Sequence, residues 1–265
     1  MSSLIAGPSK PPDYPLSDWV KQFPPTGQSL RWVHTTNAFA LRDILKSRIL
    51  APQACPVFGE PLTYMFYGRP AYRFKGHVSM QQSFAAPVVL VFSERVLAHA
   101  CRLFPFDTGA FGGGRYKKWV INQMSLESFE YPTTDDMQNR HVTAFYGKNA
   151  NYWHGEGLEI KDIPGQFEVE AVKSMIHDTP ADGDADDRRL SVELIIKDDI
   201  PMTADYVEAM LIPTALADAE FVEKFKNDLG LHVMEYRSNK NKPAIEYQAL
   251  LEYKIEEFHT LLGAL

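Results

Sequence analysis

The chain of 265 residues carries a formal charge of −7, with 45% hydrophobic and 23% charged residues. This length predicts one large domain or two small ones, and the composition is typical of a globular protein with a substantial core. A negative net charge disfavours broad, nonspecific binding to nucleic acid, which usually needs a basic surface, but it leaves room for a local basic groove.

Cysteine content and the lack of targeting signals indicate the cellular setting of the protein. Cys55 and Cys101 are the two cysteines, which is too few for a disulfide framework, and they form no CxxC pair of the kind that binds zinc. Residues 1–15 lack the apolar segment of a signal peptide. The longest apolar runs, such as residues 87–92, are far too short to span a membrane. We therefore expect a cytoplasmic protein.

Strand and helix signals alternate along the first half of the chain. Residues 1–28 contain six prolines and are predicted to form an extended arm. A strand is predicted over 30–34, and Asn37 caps the helix that follows it. Two more strands are predicted over 62–67 and 87–92, the second apolar enough to be buried on both faces.

The second half continues the mixture of strands and helices. A helix predicted over 217–229 is closed by Gly230, and a final helix begins at Pro243. Strands are predicted over 168–177, 190–197, 206–212 and 231–236. The pattern predicts the α+β class. We expect an arm over 1–28 and a single domain over 29–265 with an insertion around 100–165.

Polar side chains end the first predicted strand. His34 and Thr35 stand where the strand meets the helix, a position from which side chains can face a pocket on rigid support. Imidazole and hydroxyl groups at such a position hydrogen-bond ribose or diphosphate oxygens. The alternative is a local cap, in which Thr36 or Asn37 starts the helix and His34 is satisfied within the fold.

The densest cluster of candidate side chains spans residues 66–73. The forked guanidinium of Arg69 suits a diphosphate or a carboxylate. The rings of Tyr67 and Tyr72 suit stacking on nicotinamide or adenine. Gly68 predicts a turn that holds Arg69 in place. A surface turn with a partly buried aromatic flank is the competing interpretation.

Glu208 places a carboxylate in an apolar predicted strand, which is costly unless the charge faces water, a partner or a ligand. Strand alternation puts it on the face of Met210 and Ile212. On a core-facing side it would be a site candidate, and on an edge strand it would point to solvent. Glu193 stands in a similar apolar run and is the rival carboxylate.

A short basic segment is the last candidate for ligand contact. It combines cations with an aromatic ring, a mixture that suits a phosphate backbone and stacked bases, and consists of Arg115, Tyr116, Lys117 and Lys118. A solvated loop is the plainer interpretation of this segment. The sequence lacks the motifs of Rossmann oxidoreductases, P-loop NTPases, serine hydrolases, kinases and zinc proteases, so these classes are disfavoured.

Three of these segments together resemble ADP-ribosyltransferases. Residues 31–36 and the segment over 40–50, which contains the helix, resemble the opening of that superfamily. Residues 64–72 look like the aromatic–Arg–Pro turn of its DNA-modifying toxins, and residues 207–213 resemble its late strand, in which a glutamate precedes a hydrophobic run and a proline. The segments occur in the family's order. Gly68 before the arginine, and Arg48 where a glycine is common, depart from the pattern.

The resemblance implies a split β-sheet core with flanking helices that binds NAD and breaks the bond between nicotinamide and ribose without a metal. His34 would hold a ribose hydroxyl with help from Thr35, and Arg69 would hold the diphosphate and help to orient the acceptor. Glu208 would bind the ribose 2′-hydroxyl and stabilise the cation, or activate the incoming nucleophile. The ring that stacks on nicotinamide would be Tyr67 or Tyr72.

The expected function is therefore mono-ADP-ribosyl transfer to a macromolecule, in the setting of a toxin or a phage-defence effector. The acceptor would be DNA, RNA or protein, and residues 115–118 would contact a nucleic acid. An inhibitor protein would be a natural further partner for such an effector. An NAD glycohydrolase would use the same residues with water as acceptor. A non-catalytic nucleotide- or partner-binding module is the third hypothesis, and it predicts binding without nicotinamide release.

Overall fold

Strands and helices alternate through residues 16–71, 83–134, 136–178, 187–239 and 241–265, which the computed structural model describes. The strands are β1 (Trp32–Asn37), β2 (Ile49–Leu50), β3 (Gln53–Ala54), β4 (Pro61–Tyr67), β5 (Pro87–Phe92), β6 (Ala100–Phe104), β7 (Glu193–Ile196), β8 (Ile200–Pro201), β9 (Val207–Pro213) and β10 (His232–Tyr236). The α-helices are α1 (Leu16–Val20), α2 (Ala38–Ser47), α3 (Thr108–Gly112), α4 (Met137–Tyr146), α5 (Asn149–His154), α6 (Phe167–His177), α7 (Glu220–Leu229) and α8 (Gln248–Leu261). This mixture confirms the α+β class.

The described residues separate into two compact units. The sheet unit comprises residues 30–55, 59–100 and 196–265, and the helical unit comprises residues 16–29, 56–58 and 101–195, each within the described ranges. The insertion predicted around 100–165 lies in the helical unit, which continues to residue 195 and includes 16–29 of the predicted arm. Helix α4 holds that segment, because Arg140 donates to the carbonyl of Phe23 at 2.6 Å.

An open, mostly antiparallel sheet forms the centre of the sheet unit, in the order β10-β9-β5-β1-β4. Only β9 and β10 pair in parallel along this order. Every residue of β5 is buried, as expected for an apolar interior strand that is covered on both faces. Helix α2 packs on β1 and β5, and α8 packs on β9 and β10.

Two local signals in the sheet unit act as predicted. The side chain of Asn37 accepts a hydrogen bond from the amide of Ala40 at 2.9 Å, which caps α2. Gly230 ends α7 with a φ of +62°, the left-handed conformation in which glycine carries no steric cost. The start of α2 and the end of α7 are therefore determined by residues close to them in the chain.

The strand predicted over residues 168–177 is wrong, because the segment forms helix α6 (Phe167–His177). Val169, Val172 and Ile176 recur at spacings of three and four and are all buried, so they line one face of a helix. A short run that is rich in β-branched residues resembles a strand in composition, while its periodicity is helical.

The turn after β4 requires a glycine. Gly68 has a φ of +74°, and its amide donates to the carbonyl of Arg31 at 2.8 Å. A Cβ at this position would lie 2.7 Å from Cδ1 of Leu30, which is itself fully buried. The turn therefore combines a left-handed backbone with a contact that leaves no room for a side chain.

Gly68→Ala should lower the free energy of unfolding of the sheet unit by about 2–3 kcal/mol, since backbone strain and overpacking add. Gly230→Ala is the matched control. It has a similar φ of +62° but nothing within 4 Å of the added Cβ, so it should lose about 1 kcal/mol. Urea denaturation measures both losses, and equal losses would show that the contact with Leu30 relaxes without cost.

Candidate functional site

The sheet opens between β1 and β4. These strands pair through two residues each, and the pairing ends at Val33 and Phe66, whereas β1 pairs with β5 along its whole length. At the next position, Nδ1 of His34 lies 2.9 Å from the carbonyl oxygen of Tyr64 on β4, so a side chain takes the place of a ladder hydrogen bond. His34 therefore stands at the point where the two strands part.

The protonation of His34 follows from this contact. Burial lowers its pKa below the ordinary value of 6.5, and the hydrogen bond to the Tyr64 carbonyl partly opposes this shift. A carbonyl oxygen only accepts, so Nδ1 of the neutral imidazole carries the proton and donates. Nε2 is then an acceptor. At neutral pH His34 is therefore suited to receive a hydrogen bond from a hydroxyl group.

Buried polar atoms on β1 and β4 lack partners. Nε1 of Trp32, Oγ1 of Thr35 and Oγ1 of Thr63 have no hydrogen-bond partner among the described residues. A buried polar group is costly unless water or a ligand satisfies it. Successive side chains of a strand point to opposite faces, so Thr35 and His34 do not share a face. The two predicted ribose contacts, His34 and Thr35, therefore lie on opposite faces of β1.

The aromatic–Arg–Pro segment is largely buried. Tyr67 is fully buried, accepts a hydrogen bond from the amide of Leu30 at 2.8 Å and packs against Trp32 with ring centroids 5.1 Å apart. Its ring is thus a core contact with no free face for nicotinamide. Arg69 is 5% exposed, and its amide donates to the carbonyl of Tyr67 at 2.9 Å. Tyr72 lies outside the described residues.

Glu208 is the extra residue of a β-bulge. Val91 pairs with Ala209 and Phe92 with Val207, so Glu208 has no opposite residue on β5. Bulges re-aim side chains and recur next to functional sites. β9 lies between β10 and β5 and is not an edge strand, but its pairing with β10 begins at Ala209, one residue after Glu208. Its side chain is 27% exposed, and its Oε2 accepts a hydrogen bond from Nε of Arg31 at 2.6 Å.

Cross-strand pairing relates Glu208 to His34. Met210 pairs with Leu90, and Leu90 pairs with His34, so these three side chains share one face of the sheet. Glu208 precedes Met210 by two residues, but the bulge lies at this point, so strand alternation does not fix the face on which its side chain lies. Two strand spacings separate β1 from β9, about 10 Å. The sheet order thus brings His34 and Glu208, far apart in the chain, onto two strands that are separated by β5 alone.

Arg31 binds the candidate carboxylate, and sequence analysis does not single it out. An arginine directly before a strand is by itself an ordinary surface side chain. Only the order β9-β5-β1 brings it to Glu208, which lies 177 residues later in the chain. Its place in the segment that resembles ADP-ribosyltransferases is the one signal that could have indicated it.

The rival carboxylate, Glu193, is bound within the helical unit. It is 1% exposed, and its Oε2 accepts from the amide and the hydroxyl of Thr108 at 2.9 and 2.6 Å, at the start of α3. Next to it, Asp107 caps the amide of Ala110 at 3.0 Å and pairs with Arg188 at 2.8 Å. These contacts explain a buried charge by structure alone, so the geometry favours Glu208 as the site carboxylate.

The basic segment over residues 115–118 also belongs to the helical unit. Tyr116 is 2% exposed and packs edge-on against Phe106, with ring centroids 5.3 Å apart, so its ring is not available to a base. Arg115 and Lys117 are exposed, and Lys118 pairs with Asp178 at 2.6 Å. An acceptor contact in this segment would therefore come from the cations and not from the predicted aromatic stack.

Comparison with protein-family models finds no match, and no curated protein is similar to the chain in sequence. Within the described ranges, no group of three or more His, Cys, Asp or Glu side chains is placed to hold a metal ion. None of the helices in the same ranges is long and apolar enough to cross a membrane.

Proposed function

We propose that the chain is an NAD-dependent mono-ADP-ribosyltransferase that modifies a macromolecule. The observation that carries this proposal is the opening between β1 and β4, with His34 at its start and Glu208 at a bulge of β9, two strands away. A split sheet with an early histidine and a late glutamate is what the resemblance to ADP-ribosyltransferases implies. The buried polar atoms of Trp32 and Thr63, which lack partners among the described residues, add support for a polar ligand nearby.

The chemistry assigns a task to each side chain. Loss of nicotinamide from NAD builds positive charge on the ribose, as in glycoside cleavage. A carboxylate fixed close to that charge stabilises the transition state, and Glu208 would supply it. Nε2 of His34 would accept a hydrogen bond from a ribose hydroxyl, and Arg69 would hold the diphosphate from the turn after β4. No step in this scheme requires a metal.

The direct test is nicotinamide release from NAD by the purified protein, alone and with single-stranded DNA, RNA or cell lysate, followed by mass spectrometry of the acceptors. We expect nicotinamide release with ADP-ribose attached to one class of acceptor. The Glu208→Gln protein is the control and should release no nicotinamide. Free ADP-ribose without any modified acceptor would make the protein an NAD glycohydrolase. No release in any mixture would overturn the enzyme assignment, and NAD binding without release would indicate a binding module.

A further inference from the structure

The ion pair between Arg31 and Glu208 uses one oxygen of the carboxylate. Nε of Arg31 lies 2.6 Å from Oε2 of Glu208, and the side chains are 20% and 27% exposed. Oε1 of Glu208 accepts no hydrogen bond from a described residue. One carboxylate oxygen is therefore held by the protein, and the other remains for a ligand.

The backbone of Arg31 is fixed on both sides. Its carbonyl accepts from the amide of Gly68 at 2.8 Å, and the amide of the preceding Leu30 donates to the hydroxyl of Tyr67 at 2.8 Å. Leu30 and Tyr67 are fully buried. Arg31 thus extends from a rigid part of the sheet unit, and the same turn leads directly into Arg69. A guanidinium on such a support determines where its partner carboxylate lies.

We propose that Arg31 is a positioning residue that binds Oε2 of Glu208 and directs Oε1 toward the ribose of NAD. This inference rests on the proposed function. The bulge at Glu208 frees its side chain from the regular alternation of β9, so the backbone alone does not define where the carboxylate points. Arg31 supplies the missing restraint. It acts through Glu208 and makes no contact with the reacting atoms.

Stability and catalysis should respond differently to the loss of Arg31. An ion pair that is exposed by a fifth to a quarter contributes little to folding, typically about 0–1 kcal/mol. A misplaced catalytic group is more costly, because displacements of about 1 Å can reduce a rate 100-fold. A purely structural role would therefore change the melting temperature and leave the turnover of folded protein intact, whereas a positioning role would change kcat.

The experiment compares wild-type protein with Arg31→Ala, Arg31→Lys and Arg95→Ala in steady-state nicotinamide release, together with thermal melting. Arg95 pairs with Asp205 at 2.5 Å, both side chains are about two-thirds exposed, and the pair belongs to the sheet unit, so it is a matched ion-pair control. Arg31→Ala should lower kcat about 30-fold and change the KM for NAD less than about 3-fold, as expected for loss of a charge-assisted hydrogen bond to a catalytic group. Arg31→Lys, which keeps the charge but not the forked geometry, should lower kcat several-fold, though less than Arg31→Ala. Millimolar guanidinium should partly restore Arg31→Ala, and Arg95→Ala should match wild type.

Two results would overturn the inference in distinguishable ways. Active wild-type protein, with folded Arg31→Ala and Arg31→Lys variants that keep the wild-type kcat, would remove Arg31 from the site and leave the proposed function standing. Wild-type protein that releases no nicotinamide would overturn the proposed function itself, and the role of Arg31 with it. If Arg31→Ala does not fold, the kcat of Arg31→Lys decides, because lysine keeps the charge but not the forked geometry.

Discussion

Glu208→Gln should reduce nicotinamide release from NAD about 1000-fold, the upper end of what removal of one preorganised electrostatic group costs an enzyme. The amide matches the carboxylate in shape, so the bulge and the backbone of β9 are preserved. What is lost is the negative charge that would face the developing cation on the ribose. The effect should appear in kcat and leave the KM for NAD within a few-fold, because the charge is needed mainly in the transition state.

Folding stability separates this effect from damage to the protein. The ion pair of Glu208 with Arg31 is partly exposed, so Glu208→Gln should cost about 0–1 kcal/mol in urea denaturation. Glu193→Gln is the informative comparison, because its buried carboxylate accepts two hydrogen bonds from Thr108. It should cost about 1–3 kcal/mol and keep the turnover of the folded fraction. The reverse outcome, an active Glu208→Gln and an inactive, folded Glu193→Gln, would move the site to Glu193.

Acid should destabilise the helical unit through His141. This side chain is 1% exposed, and its Nδ1 lies 2.9 Å from the hydroxyl of Tyr131. Burial lowers the pKa of His141 from 6.5 to about 3. Below pH 6.5 the unfolded chain therefore binds a proton that the folded protein excludes, and the free energy of unfolding falls by about 1.4 kcal/mol per pH unit until the folded pKa is reached. Above pH 6.5 the imidazole is neutral in both states and has no effect.

Urea denaturation at several pH values between about 7 and 5 measures this slope, in a range where carboxylates contribute less. His141→Gln should flatten the dependence by about 1.4 kcal/mol per pH unit. Tyr131→Phe removes the hydrogen-bond partner and keeps the histidine, so it should lower stability at every pH by about 1 kcal/mol and leave the slope unchanged. An equal slope in wild type and His141→Gln would mean that water reaches the imidazole in the folded protein.

Sequence patterns predict secondary structure best where interactions between residues close in the chain determine it. The apolar run of β5, the cap by Asn37 and the end of α7 at Gly230 depend on hydrophobicity, one side-chain hydrogen bond and one backbone angle. The sequence does not predict helix α4. Its buried residues include polar ones, Gln138, Asn139 and His141, so the hydrophobic periodicity that marks a helix is weak there.

In the candidate site, too, some features can be predicted from the sequence and others only from the fold. The sequence singles out His34, Arg69 and Glu208 as candidates because a polar or charged side chain in an apolar segment is costly unless it is paired, solvated or bound to a ligand. Residue types alone do not reveal exposure, so the burial of Tyr67 and Tyr116 was not predicted. An aromatic ring stacks on a ligand or fills a core with the same chemistry, and the surrounding fold determines which occurs.

The sequence by itself determined the α+β class, most strand positions and the candidate carboxylates, because these follow from local propensity and short-range periodicity. Only the tertiary structure decided that β1 and β4 part at His34, that Glu208 lies at a bulge of an interior strand, and that Arg31 binds it. These features depend on pairing between residues far apart in the chain. Their register reflects the packing of the whole sheet, which no local pattern encodes.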